Sequence, residues 1–160
     1  MKKLVVLILV AFAALLFAGQ ASAQHNYGVI GGVTFNHEAM TQYHAGITYR
    51  AKLPMGFSVQ PSLQYQGKGD VGYLELPVSF QWGPDLILFR PFLDVTPFVG
   101  YGLNNEFWSQ PSGAWSGLNR WEYGLGAGLG LDIWKFQLIA RYNWNFTNYG
   151  GVTLSLALLF

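Results

Sequence analysis

Arg50, Glu75, Asp94, Glu122 and Arg141 interrupt stretches that are apolar at every second position. Charges enclosed by apolar neighbours need partners, because an ion taken from water without one is costly. Two kinds of chemistry are open to such a set. It can form an ion-pair network that locks an interior, or it can line a conducting or catalytic site. In a narrow barrel filled by its own side chains, the network is favoured. Glu75 or Glu122 is expected to pair with Arg141, and Asp94 or Glu75 with Arg50; the sequence does not choose among these. His44 is the one histidine inside a predicted strand. With Ser58 or Glu75 beside it a hydrolase can be imagined, but a triad demands matched geometry that one histidine among many serines does not supply. His25 and His37 lack metal-ligand spacing, and there is no cysteine. No catalytic residue, metal or cofactor is assigned, and the chain is read as a non-enzyme.

The elements that must position these residues are strands. From about Tyr27 to Phe160 the chain alternates apolar and polar residues, then breaks at Gly, Pro, Asn or Asp. In the stretch 57–68, Phe57, Val59, Pro61, Leu63 and Tyr65 fall on one face, while Ser58, Gln60, Ser62, Gln64, Gln66 and Lys68 fall on the other. Successive side chains of a strand point to opposite faces, so the pattern builds a sheet with one apolar and one polar side. Eight strands are predicted, near 26–36, 41–52, 57–68, 73–82, 89–104, 120–131, 135–147 and 150–160. Each has roughly the ten residues that a tilted strand needs to cross a bilayer. Closure pairs every backbone group and removes the edges that lipid would not tolerate. The expected fold is an all-β, eight-stranded antiparallel up-and-down transmembrane barrel.

Several details refine this expectation. Gly124, Gly126, Gly128 and Gly130 share one strand face, with Gly100 and Gly102 on the preceding strand. Their spacing is not that of a dinucleotide loop. They are expected to line the lumen and make room for long side chains such as Arg141, Gln60 or Gln64. Pro61, Pro77 and Pro97 fall near the middle of three consecutive strands, where proline cannot donate to a ladder; a bulge and three simple ladder gaps are equally open. Outward aromatics such as Tyr43, Phe57, Trp82, Trp121 and Trp144 cluster towards strand ends, as lipid–water anchors do. In the longest loop, Trp108 and Trp115 are candidate contacts for lipopolysaccharide or a partner, with packing on the barrel rim favoured. Phe160, aromatic and last, matches the signal read by barrel-assembly machinery.

Composition agrees. Charged residues make up only 11% of the chain, against about 25% in ordinary soluble domains. No apolar run after residue 23 reaches the roughly 18 residues of a spanning helix. Met1-Lys2-Lys3, the apolar run from Leu4 to Ala18, and Ala21-Ser22-Ala23 form a secretory signal peptide over 1–23, with cleavage expected between Ala23 and Gln24. Residues 24–160 are then one barrel domain. Without Lys2 and Lys3, seven basic residues face eight acidic ones. No basic stripe suggests nucleic acid. The expected location is the outer membrane of a Gram-negative bacterium, both termini periplasmic, with the loops near His37, Asp70, Trp108 and Asn148 outside. Expected partners are outer-membrane lipid and lipopolysaccharide, the barrel-assembly machinery during biogenesis, and an envelope protein.

Tyr73-Leu74-Glu75-Leu76-Pro77, Arg90-Pro91-Phe92, Thr96-Pro97-Phe98-Val99-Gly100-Tyr101-Gly102, Tyr123-Gly124-Leu125-Gly126-Ala127-Gly128 and Phe136-Gln137-Leu138 with Arg141-Tyr142-Asn143 occur in that order. The ordered set resembles the PorT-like outer-membrane β-barrel family of the Bacteroidetes, within the OmpA/OmpX-like class. The resemblance implies an eight-stranded outer-membrane barrel and suggests a partner role in secretion or envelope assembly. It supplies no substrate. A narrow channel for small or apolar solutes is the alternative function.

Overall fold

In a computed structural model, residues 25–36, 41–68, 71–103, 120–148 and 150–160 are described. The export segment with its Ala23–Gln24 junction, and the loop carrying Trp108 and Trp115, lie outside the described residues. The strands are β1 (His25–Asn36), β2 (Thr41–Lys52), β3 (Phe57–Lys68), β4 (Val71–Trp82), β5 (Arg90–Gly102), β6 (Trp121–Ile133), β7 (Phe136–Asn145) and β8 (Gly151–Leu159). Each pairs antiparallel with its sequence neighbour, and β8 closes on β1. The expected eight-stranded up-and-down barrel is what forms. One boundary matters for chemistry: β6 runs through Asp132 and Ile133, so Asp132 belongs to a strand and not to the turn expected there.

The strands are staggered. Starting at His25 and moving from partner to partner leads through Ala51, Val59, Phe80, Val95, Ala127, Tyr142 and Val152 to Phe35, ten residues further along β1. With eight strands spaced about 4.8 Å apart, that offset corresponds to a tilt of roughly 40°. Partners on one ladder line therefore lie at different depths in the lumen, and this decides which charges can meet.

Alternation holds throughout. Val29, Ile47, Leu63, Leu93, Leu129, Leu138 and Leu156 are exposed on the outside, whereas Thr48, Gln60, Gln81, Thr96, Gln137 and Thr153 are buried inside. Outward aromatics meet across strands as Tyr27–Tyr49, Phe57–Trp82, Tyr101–Trp121 and Tyr123–Phe146. These pairs lie towards the two ends of the strands, where rings settle at the lipid–water boundaries. At the closing seam the Tyr27 amide donates to the Phe160 carbonyl (3.0 Å) and the Phe160 amide donates to the Tyr27 carbonyl (2.7 Å).

The prolines produce gaps, not bulges. The β2–β3 ladder skips from Thr48↔Ser62 to Ala51↔Val59, and the β3–β4 ladder from Pro61↔Val78 to Gln64↔Glu75. The β4–β5 ladder skips from Pro77↔Phe98 to Phe80↔Val95. Register is the same on both sides of each gap. Each is what one missing proline N–H produces, and the three fall in successive seams. At the first, the Thr48 hydroxyl donates to the Pro61 carbonyl at 3.3 Å.

The four β6 glycines face the lumen. A Cβ at Gly128 would strike the Ala140 carbonyl, one at Gly126 the Arg141 side chain, and those at Gly124 and Gly130 the rings of Phe98 and Phe92. Arg141 occupies this wall as expected. Gln60 and Gln64 do not; Phe92 and Phe98 do, because they share the inward parity of Asp94 on β5. Met55 (φ 64°) and Trp134 (φ 56°) take left-handed backbone in the tight turns, a conformation costing an L-residue roughly 1–2 kcal/mol.

Replacing Pro97, whose side chain faces outward, by valine supplies an N–H opposite Val78 and leaves the lumen untouched. Urea unfolding in detergent is expected to show stabilisation of about 1 kcal/mol; a destabilised variant would mean that the gap is not a missing bond.

Candidate functional site

The polar lumen is the candidate site, and its charges fall in three tiers set by the stagger. Near the end that holds the tight turns, Asp132 accepts from Arg50 (2.7 Å) and Arg90 (3.1 Å). Arg90 also donates to the Gly56 carbonyl (2.8 Å) and Ser58 Oγ (3.2 Å), and its Nε lies 3.3 Å from Asp85 on the β4–β5 turn. Above this cluster, Gln137 of β7 donates to Gln81 of β4 across the lumen (3.4 Å), and a chain of polar side chains continues along the wall formed by β4, β3 and β2. Ser58 donates to Gln81 (3.1 Å), Gln81 to Gln60 (3.1 Å) and Gln60 to Thr48 (3.0 Å). An apolar layer of Ile30, Phe92, Ile139 and Ala157 packs beside them.

The middle tier centres on Arg141. Its Nε donates to Asp94 Oδ2 (2.7 Å) and its terminal nitrogen to Ser79 Oγ (3.0 Å). Thr96 holds the same Asp94 oxygen at 3.0 Å. The upper tier joins Lys68 to Glu122, and Asn145 (2.9 Å) and Asn148 (3.1 Å) also donate to Glu122 Oε2. The Lys68 ammonium lies 4.4 Å from the Tyr73 ring centre. Apart from the contact to the exposed Asp85, these ion pairs are buried, so the partners answer each other's charge where little water can.

All five charges singled out in the sequence face this lumen, but their expected pairings are corrected. Arg141 meets Asp94, not Glu75 or Glu122. Arg50 meets Asp132, not Asp94 or Glu75. Glu122 meets Lys68, and Glu75 makes no ion pair among the described residues, although Arg141 lines the same cavity. The reason is depth: Arg50 lies near the turn end, while Glu75 and Glu122 lie near the loop end of their tilted strands. Sequence reasoning left Lys68, Arg90 and Asp132 out of the network because they sit at strand ends. Strand parity could have found them, since Lys68 aligns with Gln66, Arg90 with Asp94 and Asp132 with Glu122.

Between the middle and upper tiers lies a small cavity lined by His44, Gln64, Gln66, Glu75, Arg141 and Ser155, among others. His44 Nε2 is 3.0 Å from Ser155 Oγ, while Ser58 is engaged far from it in the lower tier. Among the described residues no carboxylate is hydrogen-bonded to His44, so the pair lacks the third group that orients a catalytic histidine. No group of His, Asp and Glu suited to a metal ion occurs among the described residues. Phe160 is outward and exposed beside Tyr27.

Comparison with solved structures bears on the fold. Neisserial surface protein A matches with a TM-score of 0.53 at 12% identity, over 87% of this chain and 99% of that one. The de novo designed barrel TMB2.3 matches with a TM-score of 0.53 at 13% identity, over 87% and 96%. A second match, from de novo design of transmembrane beta-barrels, has a TM-score of 0.51 at 13% identity, over 86% and 95%. No curated protein matches the chain. The model of the outer membrane protein beta-barrel domain matches residues 17–149. With that match covering most of its length, and with a closed eight-stranded barrel beneath it, the chain belongs to the outer membrane protein beta-barrel domain family.

Proposed function

We propose that this protein is a plugged outer-membrane barrel with structural and interaction duties in the cell envelope, and not a route for solutes. The observation carrying this reading is the set of buried ion pairs and amide side chains that crosses the lumen at three depths. A conducting pore needs a continuous water path, and an eight-stranded lumen is just wide enough for side chains to fill it. Among the described residues, the cavity beside Glu75 favours a narrow porin-like channel. Planar bilayers containing the folded protein are expected to stay electrically silent. Steady open steps would establish the channel instead.

The turn end offers an interaction surface. Ile87 and Leu88 are exposed at the tip of the β4–β5 turn, joined by Met55 and Trp134 from the neighbouring turns. In the orientation we infer, this rim and both chain ends face the periplasm, and the longer loops face lipopolysaccharide. The resemblance to PorT-like barrels supports a role beside secretion or envelope-assembly proteins, and the apolar rim is where such a partner would dock. Proteins that co-purify from native envelopes are expected to be lost from Ile87→Asp, whose barrel still folds; an unchanged set would remove the rim from the reading.

Phe160 serves biogenesis in this reading, as the terminal aromatic recognised by barrel-assembly machinery. Deleting Phe160 is expected to diminish the heat-modifiable folded band on unheated gels. A band of undiminished strength would refute that role.

A further inference from the structure

Five side-chain charges at the turn end form one alternating chain. Arg50 pairs with Asp132 (2.7 Å), Asp132 with Arg90 (3.1 Å), Arg90 with Asp85 (3.3 Å) and Asp85 with Lys52 (3.9 Å). The chain begins and ends on a cation, so its positive charges outnumber its negative ones by one. Arg50 is the buried end. Lys52, last residue of β2, is the accessible end and makes the loosest of the four contacts. The same region locks two turns together. The Gly83 amide donates to the Gly56 carbonyl (3.1 Å), and Arg90 donates to that carbonyl too (2.8 Å). On the turns so joined, Met55 is 86% exposed, Leu88 78% exposed and Ile87 fully exposed.

Large apolar side chains exposed together on two locked turns mark an interaction site. The charge beside them narrows what binds there. Lys52 reaches from the end of β2 to the β4–β5 turn, and its ammonium has donors for a second carboxylate besides Asp85. A carboxylate arriving there adds one more member to the alternating chain and makes it neutral. Such complementarity steers a partner and fixes its register. The apolar tips lie past Phe57 and Trp82, the terminal residues of β3 and β4, whose rings pair at the lipid–water boundary. A surface fixed before binding also suits a partner of fixed shape better than it suits fluid lipid. We propose that Met55, Ile87 and Leu88 receive an apolar segment of a periplasmic envelope protein, and that Lys52 takes a carboxylate of that segment. This rests on the reading of the turn end as a docking rim and adds the partner's charge to it.

The test is photo-crosslinking of the full barrel in native envelopes. Leu88 is replaced by p-benzoylphenylalanine, and the attached segment is sequenced by mass spectrometry. Each variant is first shown to fold by its heat-modifiable band. An adduct with an apolar segment carrying Asp or Glu is expected. Lys52→Glu is expected to reduce its yield about tenfold, since like charges across an interface repel. Lys52→Gln, which only removes the charge, weakens it in the same direction, and Lys52→Arg keeps it. An adduct with a protein segment lacking acidic residues, or one undiminished in Lys52→Glu and Lys52→Gln, would overturn the proposal and leave the docking rim standing. An adduct with lipid alone, or none, would overturn both.

Discussion

A cylinder of eight strands is just wide enough for side chains to fill it, so little water reaches a charge placed inside. Apart from Glu75, the charges placed there are answered by other side chains, and the barrel's geometry decides which. The ten-residue stagger moves each strand along its neighbours, so charges that look adjacent along one ladder line are separated in depth. Asp132 gathers Arg50 from β2 across the lumen, and Arg90 from the position directly opposite it on the neighbouring strand β5. The same constraint explains the β6 glycines. With Arg141, Phe92 and Phe98 reaching across them, even a methyl on that wall would collide.

Much of the architecture was legible because its cause is local. The alternation of Phe57, Leu63 and Tyr65 with Ser58, Gln60 and Gln64 states which face meets lipid, and a period of two cannot be read as a helix. Parity also foretold the inward glycines and the inward Arg50, Glu75, Asp94, Glu122 and Arg141. The pairings were not legible, since they follow from stagger, which no single strand encodes. Nor was the apolar layer of Ile30, Phe92, Ile139 and Ala157, because apolar residues at inward positions contradict the simple polar-inside rule. They fill volume beside the amide chain, where packing matters more than polarity.

The histidine illustrates the same limit. Its inward position follows from parity with Arg50 and Thr48. Its partner, Ser155, is supplied by β8, more than a hundred residues away and beyond the closing seam with β1. A candidate built from nearby serines could not have found it. Closure is what brings the first and last parts of the chain together.

The three proline gaps give this cylinder a direction in its mechanics. Seams between β2 and β5 each lack a rung near mid-height, whereas the ladders joining β5, β6, β7, β8 and β1 run without a skip. Three adjoining seams of the eight thus form a more compliant arc, and the other five, the β1–β2 seam included, a stiffer one. Lateral pressure from the bilayer would flatten such a tube towards an ellipse along a single preferred axis, and the compliant arc is where the wall would first yield.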